Sequence, residues 1–316
     1  MNLVLRACAF AITLIIIVSI GILMQAGPYG LHVFARHGGT YWLPVGIDSD
    51  RLSLSMRIAL QGKPAVVPGK FQWSSVDKGF EVAELPVLMD GQEVDRIFLA
   101  RIDPAFFLFA VYNDVTGEHN VRQWMKQLGA TLVVNGSYYS RHGEPDTPFL
   151  SNKILLGPAD YDARAGAFVA SPAFTGIRDL AHQNWQDAFR GADNAMVSYP
   201  LLIANSEAER IRPSQWLANR SFVGQDKSRH IIIGTTKDAF FSLDRLAVFL
   251  HDAPLGLTYA LNLDGGPVAS QAISLKGFGR ETDGRWEMQV EGNRGSLLVW
   301  PYGDVALPIA FAVFPK

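Results

Sequence analysis

The sequence predicts an α+β fold: a single domain around a mixed, mostly antiparallel β-sheet with few flanking helices, placed after an N-terminal membrane segment. Three observations predict it. Strand-like segments outnumber helical ones along the chain, no internal repeat or low-complexity block interrupts them, and a long uncharged apolar run opens the sequence. Hydrophobic residues make up 48% of the 316 and charged residues 18%, so a packed core is well supplied and wholesale disorder is excluded.

The opening run, Ala7 to Met24, carries no charge and is dominated by Ile, Leu, Val and Ala. As a helix it approaches the thickness of a bilayer core. Arg6 precedes it, no charged residue recurs until Arg36, and Leu23-Met24-Gln25-Ala26 is a poor cleavage site. Residues 1–30 are therefore expected to be an uncleaved signal anchor, with a cleaved signal peptide and a buried helix as alternatives. Either signal leaves the rest of the chain membrane-anchored or secreted, extracytoplasmic, and periplasmic in a bacterium.

Residues 31–104 read as a β-rich extension and 105–316 as the main domain. Within 37–75 only Arg51–Leu60 shows a period, a short helix with Leu52, Met56, Ala59 and Leu60 recurring. Phe80–Leu85 alternates, Asp90-Gly91 turns, and Ile97–Ile102 returns as a second strand. Phe106–Tyr112 is a continuous apolar strand. Asn113–Leu128 reads as a helix capped near Thr116, with Val121, Trp124, Met125 and Leu128 on one face and Gly129 as its stop. A strand at Thr131–Asn135 leads into a long loop reaching Tyr161. A strand at Arg229–Gly234, a helix running from Ser242 as N-cap to Leu250, and a strand at Tyr259–Leu263 follow. Gly295–Trp300 and Ile309–Phe314 finish the strands.

Lys and Arg number 28 against 30 Asp and Glu, a net charge of −2 with no electrostatic footprint for nucleic acid. The single cysteine, Cys8, excludes an intrachain disulfide and a Cys-based zinc site. The seven histidines never stand two or four residues apart. Walker, G-x-G-x-x-G, G-x-S-x-G and H-E-x-x-H motifs are absent.

Three segments carry the chemistry. Thr131–Asn135 ends in Asn135-Gly136-Ser137-Tyr138-Tyr139, where Asn-Gly alone would make a tight hairpin. Asn219-Arg220-Ser221-Phe222-Val223-Gly224-Gln225-Asp226 precedes the strand at His230–Gly234. Asn262-Leu263-Asp264-Gly265-Gly266-Pro267 places a carboxylate at a strand end before two glycines, whose successive N–H groups suit an anion nest or a turn.

Taken together, in this order and spacing, the three segments resemble the phosphodiester glycosidase family over roughly residues 105–316. The family shows Asn-Gly-Gly-Tyr/Phe-Phe, then Arg-Thr-Ala-x-Gly-x-Asp before a strand, then Asn-Leu-Asp-Gly-Gly-Gly-Ser. The helix Leu243–Leu250 and the stretch Ser198-Tyr199-Pro200-Leu201-Leu202 fit the same pattern. Ser137 and Pro267 depart from it, each standing where the family has glycine, and Pro267 removes one N–H from the nest.

The resemblance implies hydrolysis of a sugar C1–O–phosphate bond in an envelope or exopolysaccharide substrate. Arg220 would hold the phosphate, because guanidinium makes planar two-point contacts, assisted by the Gly265 and Gly266 amides. Asp264 would stabilise C1 or activate water, with a second carboxylate from Asp226, Glu144 or Asp146. Asn135 would bind sugar hydroxyls or orient a carboxylate, Gly136 belongs to the same turn, and Tyr138 would offer a stacking face. A divalent cation such as Ca²⁺ held by Asp264 is the one cofactor considered. The alternatives are a catalytically inactive glycan-binding or assembly module, motivated by Ser137 and Pro267, and a phosphodiesterase cutting the P–O bond.

Overall fold

The computed structural model describes residues 3–26, 41–61, 65–292, 294–299 and 305–316. Residues 27–30 of the expected anchor region and the expected strand end at Trp300 lie outside these.

Asp90 and Gly91 take φ of 50° and 80°, the left-handed geometry that an Asp-Gly hairpin turn needs. The turn pairs strand Phe80–Met89 with strand Gln92–Ile102. Ile97–Ile102 in turn pairs with strand Ile231–Thr236, so this hairpin is part of a nine-stranded sheet. Its further members include Ser221–Asp226, Leu257–Asn262 and Leu201–Ala204. A five-stranded sheet carries Leu132–Asn135 between Gln271–Leu275 and Ile309–Pro315, with Phe107–Asn113 at one edge. A second five-stranded sheet centres on Gly166–Ala170 and Asn194–Ser198. A four-stranded sheet orders Tyr41–Gly46, Arg294–Val299, Glu287–Glu291 and Trp216–Ala218.

Every strand pairing among the described residues is antiparallel, in four sheets rather than the one mixed sheet expected. Long apolar strands such as Ser221–Asp226 and Ile231–Thr236 are buried along their whole length. Phe80, Ile102, Phe109, Phe168, Val223 and Phe311 form a core shared by the nine-stranded sheet and the two five-stranded sheets. Strands from the 41–102 region hydrogen-bond to strands as distant as Arg294–Val299.

The helix expected over Asn113–Leu128 is confined to Val121–Leu128. The Asp114 carboxylate accepts the Thr116 N–H and hydroxyl and pairs with His119, and Gly117 takes φ 61°, so the chain turns instead of coiling. Asn120, not Thr116, is the N-cap, in a reciprocal capping box with Gln123, and Gly129 ends the helix in the left-handed region. Helix Leu243–Asp252 starts at Ser242, although the Ser242 hydroxyl makes no capping bond and is buried without a partner. Its Leu246 and Leu250 pack with Phe222 on the outer face of the nine-stranded sheet.

Leu3–Ala26 forms a 24-residue helix. Within it the described side chains cover only Arg6 and residues 8–21, and among the described residues no helix is long and apolar enough to cross a membrane.

Candidate active site

The three segments converge because their strands do. Phe222 stands opposite Asn262, the Leu263 N–H donates to the Ser221 carbonyl, and the Asp264 N–H donates to the Gly136 carbonyl at 3.1 Å. Strand ends from two sheets thereby meet at Asp264.

Asn135 is 2% exposed and acts as the staple. Its Nδ2 donates to the Asp264 carbonyl at 2.8 Å, while its Oδ1 accepts the Ser270 N–H at 3.3 Å. With both ends of the amide engaged, Asn135 orients the turn that carries the carboxylate. Gly136 is required by close approach: a Cβ there would lie 2.3 Å from Ile309 Cγ2.

Asp264 is half-buried, and burial pushes its carboxyl up to about 7; the Gly265 N–H, donating to Oδ1 at 2.8 Å, and Arg220 act in the opposite direction. Arg220 is 6% exposed. Its Nε donates to the Phe241 carbonyl at 3.2 Å and its Nη2 to the Trp216 carbonyl at 2.8 Å. Nη1 lies toward the backbone of Gly265. Among the described residues no carboxylate makes an ion pair with this guanidinium within 4.0 Å. It is a buried cation whose charge acts through the field it sets up.

Glu287, which the sequence reading did not single out, supplies a second acid. It lines the same cleft as Asp264, its Oε1 accepts the Trp216 indole N–H at 2.7 Å, and burial raises its pKa against that bond and the Arg220 charge. Gly266 makes room for it: φ is 70°, and a Cβ would fall 2.2 Å from Glu287 Oε2. Glu287 lies on strand Glu287–Glu291, where Met288 joins the core and Val290 packs against it. In the sequence this alternation makes Glu287 look like an ordinary solvent-facing position. What distinguishes it is a cross-strand neighbour, invisible without the pairing.

The remaining expected residues fall elsewhere. Glu144 is exposed in the turn after the first segment, and Asp146 is exposed although its charge reaches Asp264. Asp226 ends the strand that Arg220 precedes, roughly 20 Å away by strand rise. There it accepts the Ser228 and His230 N–H groups and pairs with the His230 ring. Neither glycine amide is free as a nest: Gly265 donates to Asp264, and Gly266 to the Asn219 carbonyl at 2.8 Å. Tyr138 stacks on Tyr199 at 4.3 Å and 20°, leaving the half-exposed Tyr199 as the outer ring. Pro267 is the second residue of the short 3₁₀ turn Gly266–Val268, where its missing N–H costs nothing. Ser137 is buried with its hydroxyl unpartnered. Among the described residues no group of three or more His, Cys, Asp or Glu gathers to hold a metal.

The cleft has a volume of about 750 Å³, the size for a small ligand. Asp264, Gly265, Pro267 and Glu287 line it on one side and the Tyr139–Gly143 loop, including Arg141 and His142, on the other. Two acids with raised pKa values and a buried guanidinium gather at this cleft, which marks it as the candidate site. The phosphodiester glycosidase family profile matches residues 128–294, more than half of the chain, and the chain belongs to that family. No curated protein matches its sequence.

Solved structures share the fold, two of them as follows. A hypothetical protein from Synechocystis superposes with a TM-score of 0.51 at 14% identity, over 78% of this chain; the chain spans only 64% of that protein. The catalytic domain of zebrafish N-acetylglucosamine-1-phosphodiester alpha-N-acetylglucosaminidase, auto-inhibited by its pro-peptide, superposes with a TM-score of 0.50 at 14% identity, covering 90% of this chain and 91% of that one.

Proposed function

We propose that this protein hydrolyses the C1–O bond of a sugar-1-phosphodiester, releasing the free sugar and a phosphomonoester. The observation that carries this reading is the meeting of Asp264 and Glu287 above the unpaired charge of Arg220 at one cleft floor. Phosphate departs readily as an anion, so the site needs little acid assistance to the leaving group. Its tasks are to hold the diester, to stabilise positive charge developing at C1, and to deliver water.

Glu287, hydrogen-bonded by Trp216, serves as the carboxylate facing the cationic C1. Asp264, with a pKa near 7, is matched to accept a proton from the attacking water at neutral pH. The C1–O bond breaks with its electron pair going to the phosphate oxygen. The water oxygen bonds C1, and its proton passes to Asp264 and then to solvent. Arg220 supplies positive potential beneath the floor, and Arg141 is the exposed cation that meets the diester from the loop side. Asn135 positions the Asp264 turn. A divalent cation such as calcium held by Asp264 is a separate proposal, tested by chelation.

The proposal places the enzyme outside the cytoplasm, acting on envelope or exopolysaccharide glycans, on the strength of the uncharged apolar run Ala7–Met24 in the sequence; carbonate extraction of membranes tests whether that run anchors it. The test of the reaction uses p-nitrophenyl diesters of N-acetylglucosamine, glucose and mannose 1-phosphates. In ¹⁸O-labelled water, C1–O cleavage yields sugar and unlabelled p-nitrophenyl phosphate, colourless until a phosphatase is added, whereas attack at phosphorus either releases yellow p-nitrophenol at once or puts the label into the phosphate. Asp264→Asn and Glu287→Gln are each expected to lower the rate by about 10²–10⁴-fold. Immediate colour, or an unchanged rate in both variants, defeats the proposal. Glycan binding with no turnover of any diester establishes the inactive binding module instead.

A further inference from the structure

The first segment closes on two tyrosines, and the fold uses them differently. The Tyr138 hydroxyl is engaged on both sides: it donates to the Tyr199 carbonyl at 2.8 Å and accepts Asn262 Nδ2 at 2.7 Å. Tyr139 packs against two hydrophobic cores and lines the cleft together with Asp264 and Glu287. Among the described residues its hydroxyl has no hydrogen-bond partner, and it is not sealed away as the unpartnered Ser137 hydroxyl is. A phenol in that position keeps its bonding capacity for whatever enters the cleft. The motif that this segment resembles ends in phenylalanine, so packing accounts for the ring and leaves the hydroxyl unexplained.

Charge decides what the hydroxyl can do. Burial, and then the carboxyl groups of Asp264 and Glu287, push its pKa upward, so it stays protonated and acts as a donor. Arg220, by contrast, commits Nε and Nη2 to carbonyl oxygens. With C1 over the two acids, the strongest acceptor in the cleft is the phosphate attached to C1. Its charge grows from one toward two as the C1–O bond breaks, so a hydrogen bond to it strengthens on the way to the transition state.

We propose that Tyr139 is a catalytic hydrogen-bond donor to a non-bridging oxygen of the departing phosphate, keeping its own proton throughout. This rests on the hydrolase reading, and the experiment separates the two. The full-length protein is assayed on a p-nitrophenyl diester of a sugar 1-phosphate and on the two phosphorothioate diastereomers of that diester. Sulfur is a weak acceptor, so it reports which non-bridging oxygen is bonded. Tyr139→Phe keeps the packed ring. It is expected to lower kcat by about 10–100-fold on the oxygen diester, with KM nearly unchanged. The unmodified protein should discriminate against the diastereomer whose sulfur takes the bonded place, and Tyr139→Phe should lose little further on that one.

An unchanged kcat, or an equal loss on the oxygen diester and both phosphorothioates, overturns the donor role and leaves the hydrolase reading intact. If the unmodified protein cleaves no diester, both fail. Denaturant unfolding should be the same with and without the hydroxyl. A clear loss of stability in Tyr139→Phe also overturns the proposal, since the hydroxyl would then serve the fold.

Discussion

Trp216 donates its indole N–H to Glu287 Oε1 at 2.7 Å, and through the same residue's carbonyl it holds Arg220 Nη2 at 2.8 Å. One residue on the short strand Trp216–Ala218 therefore sets both the acid and the cation beneath it. The bond favours the ionised form of Glu287, opposing the upward push of burial. Trp216→Phe keeps a ring but removes the donor, so the Glu287 pKa moves further up. The acid limb of the kcat/KM–pH profile is expected to shift toward higher pH by roughly 0.5–1 unit. An unmoved limb with a lower plateau would show that Trp216 acts only by packing.

Asp264 makes stability depend on pH in the direction opposite to a salt-bridged aspartate. Its folded pKa is about 7 against 3.8 for an ordinary aspartate, so between these values the folded state holds a proton that the unfolded chain has released. Stability falls as pH rises through that window and is level above it; burial of Glu287 acts with the same sign. Asp264→Asn retains an acceptor for the Gly265 N–H and removes the penalty. Its unfolding free energy should match the parent near pH 4 and exceed it at pH 8, by an amount on the order of 2 kcal/mol once the open side of the cleft is allowed for. A gain of equal size at both pH values would sink this account.

Asn135 is expected to behave as a positioning residue. Asn135→Ala leaves the Asp264 carbonyl and the Ser270 N–H without their side-chain partner, a loss of roughly 1–3 kcal/mol by denaturant unfolding. Because the staple holds the acid rather than the sugar, kcat should fall much more than KM rises. A variant of normal stability with a raised KM would return Asn135 to direct substrate contact.

Much of this site was legible because strand ends announce themselves locally. Asn135, Arg220 and Asp264 each stand where an apolar run meets a turn, and the paired strands bring those ends together. Glu287 was not legible, since its neighbours Met288 and Val290 alternate as in any half-buried strand, and only the sheet order puts it beside Trp216. The overlong helix at Asn113–Leu128 failed for a local reason: Asp114 and Gly117 make a turn that apolar periodicity does not register. Likewise the Gly265 and Gly266 amides suggested an anion nest, until the carboxylate and carbonyl that occupy them came into view.

Gly136 links packing to the catalytic turn. A Cβ at this position would stand 2.3 Å from Ile309 Cγ2 and 3.3 Å from Ile309 Cβ, while the Gly136 carbonyl accepts the Asp264 N–H. Gly136→Ala therefore has to push this strand end and Asp264 with it, costing roughly 1–3 kcal/mol and lowering kcat. Ile309→Ala removes Cγ2, whereas Ile309→Val keeps it. In combination with Gly136→Ala, the alanine should recover stability relative to additivity by about 1–2 kcal/mol, and the valine should not. Paired unfolding and kinetic measurements decide the matter: additive losses in both double variants would mean that Gly136 is needed for its backbone conformation alone, and that the approach of Ile309 does not set the position of Asp264.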